Sequence, residues 1–370
     1  MFIKKYIFLE LFDDEIIKFN DFLKIAKVKT NKELIDIKDY IKKNDIDKSD
    51  VQLLFSYIQN KQQYLSRFFD TSLEIPYDIN IKESPMNNTY NNNEKIKYKN
   101  IIRNLHYNDI LKNTKSGFNN VPSYLQVLED LFNKNIIDYK LLTPSSIHYL
   151  KINRFGGVFS SFYFRASIMN PYLVYSLNES LLKGTRIFTP TLGWTSYLYG
   201  FYESPNVKEY VGTDVIPSVC NKSKKFAKIY PEKKTTILCK PSEKLLNNES
   251  FTKKYKNYFD VVFFSPPYYE LELYDSKNQS TNSYKSYEEW LEKYWEKTIQ
   301  LCQYVLCENG KLCYILSGYG KDLKFDLVND MNNITSKYFK QMKIFDMYNK
   351  NANMTKHRTS NEKIMYYKKL

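Results

Sequence analysis

Ser265-Pro266-Pro267-Tyr268 closes an apolar run, Phe259-Asp260-Val261-Val262-Phe263-Phe264, and each residue of this tip has a chemical use. The two prolines supply no N–H and hold φ near about −65°, and Pro267 keeps Pro266 extended. Backbone carbonyls are thereby left as acceptors. Ser265 adds a hydroxyl oxygen, and Tyr268 offers a flat face on which a base stacks for about 1–3 kcal/mol. An exocyclic amine on adenine or cytosine is a poor nucleophile, because its lone pair is delocalised into the ring. If the Ser265 oxygen and the Pro266 carbonyl each accept one amino hydrogen, the nitrogen is drawn toward tetrahedral geometry. The positive charge that develops on alkylation is stabilised by the same two acceptors. No side-chain nucleophile is required.

Position strengthens this reading. A continuous apolar run that begins next to an acid and ends in such a tip is what a buried parallel strand ending at a ligand crevice looks like. The tip resembles the catalytic motif of the nucleic-acid amino-methyltransferases, Asp/Asn/Ser-Pro-Pro-aromatic at the end of a strand. Past the tip, Glu270-Leu271-Glu272-Leu273-Tyr274, Gln279-Ser280 and Tyr287-Glu288-Glu289-Trp290-Leu291 are similar to the loop and following helix of a phage and giant-virus branch. The resemblance implies S-adenosylmethionine as methyl donor. It also implies an α/β fold, a class I Rossmann-like methyltransferase sheet with helices on both faces, here with a mainly helical N-terminal extension.

The donor half is expected upstream. Arg186-Ile187-Phe188-Thr189-Pro190-Thr191-Leu192-Gly193-Trp194-Thr195-Ser196 reads as a short strand entering a tight turn, with Gly193 where the backbone must approach a ligand. Thr189, Thr191, Gly193 and Trp194 are the candidate donor contacts. In the family this turn carries an acid at its start and a Gly-x-Gly pair. Thr189 stands in place of the acid, and Thr195 in place of the second glycine. A second strand, Glu209 to Asp214, ends in a carboxylate placed to accept from ribose hydroxyls, with Val215 beside it. The plainer reading of Asp214 is a cap for the helix near Pro217. A third strand, Thr235 to Cys239, leads to Ser242 at the expected adenine-contacting turn. Asn170-Pro171 matches a helix-starting turn that helps enclose the methionine end of the donor, or else a plain N-cap with proline at the first helical position.

Downstream, Tyr287 to Cys307 has helical apolar spacing, Gly310 is expected as its stop, and Lys311 to Ser317 reads as a fifth strand. Met342 to Met347 and Glu362 to Lys368 read as a terminal antiparallel hairpin, with His357 and Arg358 in its polar loop. His357 is read as a surface residue.

A net charge of +14 suits a polyanionic partner, although scattered lysines also arise from AT-rich coding, so the charge supports nucleic acid only mildly. The mean hydropathy of −0.54 and the lack of any apolar run of about 20 residues argue against a membrane span, and cytoplasmic residence is expected. Five cysteines without a Cys-x-x-Cys pair speak against a disulfide framework or a zinc site, and they are read as small core residues. Residues 1–140 are expected to form a mainly helical domain with a polar loop at about 74–97, and 141–370 the methyltransferase domain. The N-terminal part could recognise the target or bind a protein partner. No proline precedes a cysteine, which disfavours cytosine C5 chemistry. Adenine N6 is favoured over cytosine N4, and DNA slightly over RNA. Two other readings stand beside these. One is a catalytically silent subunit that binds nucleic acid or scaffolds a partner, motivated by Thr189 and Thr195. The other is a small-molecule methyltransferase.

Overall fold

The computed structural model describes residues 1–12, 17–117, 121–318, 325–348 and 359–369, so His357 and Arg358 lie outside the described residues. The chain divides into two compact units. One contains Ile75–His106 and Ser167–Leu370, the other Phe2–Glu74 and Tyr107–Ala166.

The first unit is built on an eight-stranded sheet. Its principal strands are β1 (Arg186–Thr189), β2 (Glu209–Asp214), β3 (Lys234–Cys239), β4 (Phe259–Phe264), β5 (Leu306–Leu316), β6 (Phe339–Tyr348) and β7 (Thr359–Lys369). They lie in the order β6-β7-β5-β4-β1-β2-β3, with a two-residue strand, Tyr90–Asn91, outside β6. From β5 to β3 every pairing is parallel, while β7 runs antiparallel to both β5 and β6. With helices flanking this mostly parallel sheet, the fold is the Rossmann-like methyltransferase arrangement expected from the sequence.

The apolar run explains the centre. Val261, Val262, Phe263 and Phe264 are each 0 % exposed, as a strand covered on both faces requires. Asp260 accepts hydrogen bonds from Thr185 and from Arg186, both backbone and guanidinium, which fixes the start of β1 against β4. Burial opposes ionisation there, yet these donors hold the Asp260 carboxyl below its ordinary pKa. The chain leaves β1 toward β2 and β3 on one side and leaves β4 toward β5 on the other. Between β1 and β4 the sheet therefore has its topological switch point, where the carboxyl ends of strands open a crevice.

Several expectations shift. The helix Lys297–Val305 passes directly into β5, and Gly310 lies inside that strand at a register shift rather than stopping the helix. The segment around 74–97 belongs with the sheet unit, and the units change over at 106–107 and 166–167 rather than near 140. The second unit holds the helices Lys48–Gln59, Lys61–Ser72 and Tyr124–Lys134, and also a small sheet of Lys27–Lys29, Leu34–Asp36 and Ile136–Asp138. The part expected to be mainly helical thus also contains strands, Leu34–Asp36 among them. All five cysteines are free thiols, but only Cys220, Cys302 and Cys313 are buried. Cys239, at the end of edge strand β3, is exposed. No described helix is long and apolar enough to cross a membrane.

Candidate active site

A cavity of about 170 Å³ opens at the carboxyl ends of β1, β2 and β4. Ser265, Pro266, Pro267 and Tyr268 line it from the end of β4. Thr191, Gly193 and Trp194 line it from the turn after β1, Asp214 and Val215 from the end of β2, and Ser242 from beyond β3. Ten of the twelve residues singled out in the sequence meet at this one cavity.

Thr189 and Asn170 are the two that do not. Thr189 is 0 % exposed, and its hydroxyl is paired with the Tyr210 hydroxyl behind the sheet end. Asn170 caps the helix Pro171–Leu177 by accepting from Tyr172 N at 3.0 Å, and its amide donates to the carbonyls of Asn92 and Glu94. Its polar atoms are spent on the fold, so the plain N-cap is what the structure contains. The signal for a cavity residue here lies in Asn92. Its Oδ1 accepts from Asn170 N at 2.7 Å, and it forms part of the cavity wall. In the sequence, Asn92 sits within an asparagine-rich run that reads as linker.

The turn after β1 is unusual in its backbone. Gly193, Trp194 and Thr195 have φ of 50°, 58° and 72°, so two residues with side chains occupy the left-handed region that glycine favours. Thr195 does not enter the cavity. It is 0 % exposed, and its hydroxyl meets His106 Nε2 at 2.8 Å and Ser223 Oγ at 2.7 Å. The Trp194 indole N–H donates to Ser167 O at 3.0 Å. A Cβ on Gly193 would stand 2.2 Å from Tyr197 Cζ, so the ring of Tyr197 fills the place of a side chain at 193.

Tyr197 joins the turn to the tip. Its hydroxyl, on the helix Ser196–Tyr202, accepts from Ser265 N at 3.0 Å. The Ser265 hydroxyl donates to Ile315 O on β5 at 3.1 Å, which commits its hydrogen and leaves its lone pairs as acceptors. Among the described residues nothing donates to the Pro266 carbonyl. Tyr268 is half-buried, with Ser317 Oγ 3.5 Å from its hydroxyl, and burial raises its pKa so that it stays neutral.

Asp214 accepts from Leu192 N at 3.1 Å through one oxygen, and from Val215 N at 2.8 Å and Ile216 N at 3.1 Å through the other. A carboxylate has about four lone-pair sites, so this one keeps capacity for about one further donor. Burial raises the Asp214 pKa, and the three backbone donors oppose that rise. Glu243 and Glu272 also line the cavity, with pKa values raised by burial. Glu362 is a fourth lining carboxylate, against one lining cation among the described residues, Lys240. In a chain of net charge +14 this acidic lining points to a cationic ligand. In the sequence Glu272 stands between Leu271 and Leu273 and Glu243 between Ser242 and Lys244, and neither setting marks a buried carboxylate.

No protein-family model and no curated protein matches the sequence. Solved structures similar to the chain include the N-methyltransferase NodS from Bradyrhizobium japonicum WM9 in complex with S-adenosyl-L-homocysteine, at 10 % identity and a TM-score of 0.35 over 53 % of this chain and 83 % of that one. TrmN from Thermus thermophilus is similar at 11 % identity and a TM-score of 0.37, over 55 % of this chain and 49 % of its own. Fibrillarin from Aeropyrum pernix, in complex with natively bound S-adenosyl-L-methionine, is similar at 7 % identity and a TM-score of 0.33, over 50 % and 66 % of the two chains. Likenesses this distant assign no activity, and the functional reading rests on the cavity.

Proposed function

We propose that the chain transfers a methyl group from S-adenosylmethionine to an exocyclic base amine of nucleic acid, adenine N6 ahead of cytosine N4 and DNA ahead of RNA. The observation that carries this reading is the shared cavity. The acceptor tip at the end of β4 and the carboxylate at the end of β2 face one space at the switch point of the sheet.

The residues fit such a donor. Among the described residues, four lining carboxylates against one lysine suit a ligand with a sulfonium and an ammonium, and Gly193 lets the turn backbone border the cavity. Asp214 would take a ribose hydroxyl, and Ser242 and Glu243 stand at the base end. When bound, S-adenosylmethionine supplies an electrophilic methyl group. Ser265 Oγ and the Pro266 carbonyl hold the two amino hydrogens of the target, and Tyr268 supports the ring. Tyr197 and Ile315 hold Ser265 from both sides, so the acceptors keep their geometry while charge develops. The methylated amine then sheds its proton to water without a protein base. A base in a duplex must first leave its stack, at a cost of a few kcal/mol.

The charge distribution agrees with a polyanion near this unit. Its segments carry 35 Lys and Arg against 24 Asp and Glu, whereas the other unit carries 20 against 17. The excess lies with the catalytic unit, which favours phosphate contact there. The altered turn gives the silent-subunit reading little support, because Thr195 turns away from the cavity. The test is methyl transfer from labelled donor to DNA and RNA, followed by nucleoside analysis. Label in N6-methyladenine is expected. Absence of transfer to either polymer, together with absence of donor binding, refutes the proposal.

A further inference from the structure

Among the cavity carboxylates, Glu272 is placed differently from the others. It is 9 % exposed, close to the 8 % of Glu243, but it follows the tip directly, on a segment that also lines the cavity through Leu271 and Tyr274. One of its oxygens accepts from Ser167 N at 2.8 Å and the other from the Tyr274 hydroxyl at 2.9 Å. These partners donate, as does the Ser167 hydroxyl, so they favour the ionised form against the burial that opposes it, and about one lone-pair site remains for a further donor. Ser167 in turn accepts from the Trp194 indole, and the rings of Trp194 and Tyr274 stand 5.9 Å apart. Glu272 is therefore bonded to the group that carries the turn after β1.

The other carboxylates are engaged elsewhere. Asp214 is largely occupied by three backbone N–H groups. Glu243 lies beyond β3 and accepts from the Tyr284 hydroxyl at 3.3 Å. Glu362 belongs to β7, on the side of Tyr268. A nucleoside ligand anchored by its ribose at the end of β2 puts its base toward β3 and its other end over the turn after β1. On the proposed reading, the other end of the ligand is an amino acid whose ammonium needs a buried counter-charge. Thr189, at the start of the turn, cannot provide one, since it is neutral and faces Tyr210.

Resting on that reading, we infer that Glu272 binds the α-ammonium of the methyl donor, held for the purpose by Ser167 and Tyr274. The segment after the catalytic tip then supplies the donor site with its counter-charge, and ordering of this segment and binding of the donor reinforce one another.

The test is calorimetric titration of the full chain with S-adenosylhomocysteine and with its analogue lacking only the α-amino group. The native protein is expected to prefer the amine-bearing ligand by about tenfold or more, the scale of one charge-assisted hydrogen bond. Glu272→Gln is expected to abolish that preference while binding the deaminated analogue as the native protein does. Glutamine can still accept from Ser167, and its amide can donate to the Tyr274 oxygen, so the segment keeps its partners. Equal affinity of the native protein for the two ligands overturns the inference, as does a native preference that survives in Glu272→Gln. In both cases the donor reading stands, because the native protein has bound. Failure of the native protein to bind either ligand sinks the donor reading and the inference together. If Glu272→Gln does not fold, the preference of the native protein decides alone.

Discussion

Restoring the glycine expected at position 195 should destabilise this protein rather than relieve it. Thr195 has φ of 72°, a strained setting for a β-branched residue that costs about 1–3 kcal/mol. Glycine would remove this strain and give back about 0.5–1 kcal/mol through the freedom it adds to the unfolded chain. Against this stand two hydrogen bonds of a fully buried hydroxyl, at 2.8 Å to His106 Nε2 and 2.7 Å to Ser223 Oγ. Taking away one partner of a buried pair costs about 1–3 kcal/mol for each group left behind. The loss outweighs the relief, and Thr195→Gly should destabilise the unit by about 2 kcal/mol. For a unit of this size that lowers the melting temperature by about 4–8 °C. Differential scanning calorimetry measures it, with Thr195→Ser, which keeps the hydroxyl, as the control expected to stay close to native. An unchanged or raised melting temperature in Thr195→Gly refutes the argument that the polar cluster holds the turn in its left-handed form.

Three further expectations follow from the same geometry. Gly193→Ala combines a φ of 50° with a Cβ placed 2.2 Å from the Tyr197 ring, so it should displace Tyr197 and abolish donor binding in an equilibrium titration; native affinity would contradict this. Tyr197→Phe leaves the Ser265 N–H without its acceptor at 3.0 Å and should lower kcat by about tenfold or more while donor affinity changes little, a split that steady-state kinetics resolves. The third concerns pH. Burial raises the pKa values of Asp214, Glu243 and Glu272, so each contributes stability that is complete below its unfolded pKa and is lost as pH rises through the folded one. A cationic ligand prefers the ionised groups, so its affinity should rise over that same interval, which lies above the ordinary carboxylate range. Melting curves with and without donor, from about pH 4 to pH 8, should show apo stability and donor-induced stabilisation moving in opposite directions.

What the sequence revealed depended on backbone-level regularities. The strand ending at Ser265 is visible because burial on both faces demands an unbroken apolar run, and Asp214 because an acid ends the strand that follows β1. The prolines fix their own conformation, so the tip could be read without neighbours. Thr195 was harder. Its threonine side chain suggested obstruction of a ligand site, but the direction of that side chain depends on His106 and Ser223, 89 and 28 residues away in the chain. Asn92 was hidden for a similar reason, because asparagine-rich sequence signals a loop and does not say what the loop touches. Glu272 showed no periodic pattern, and its burial arises from Ser167 and Tyr274. Asn170 fits two roles in the sequence, and its use is local: a cap for one helix and a clamp on the Asn92 segment.

The interleaving of the two units bears on how this protein can be dissected. A fragment beginning at residue 141 would retain the tip, the turn and Asp214. It would lack Asn92 from the cavity wall, His106 from beneath the turn, and the outermost short strand at Tyr90–Asn91. Truncation at that point removes part of the candidate site, and a dead fragment would say nothing about the role of the segments removed with it. Excision that respects the architecture would instead begin at Ile75 and join His106 to Ser167, keeping both stretches of the sheet unit on one polypeptide.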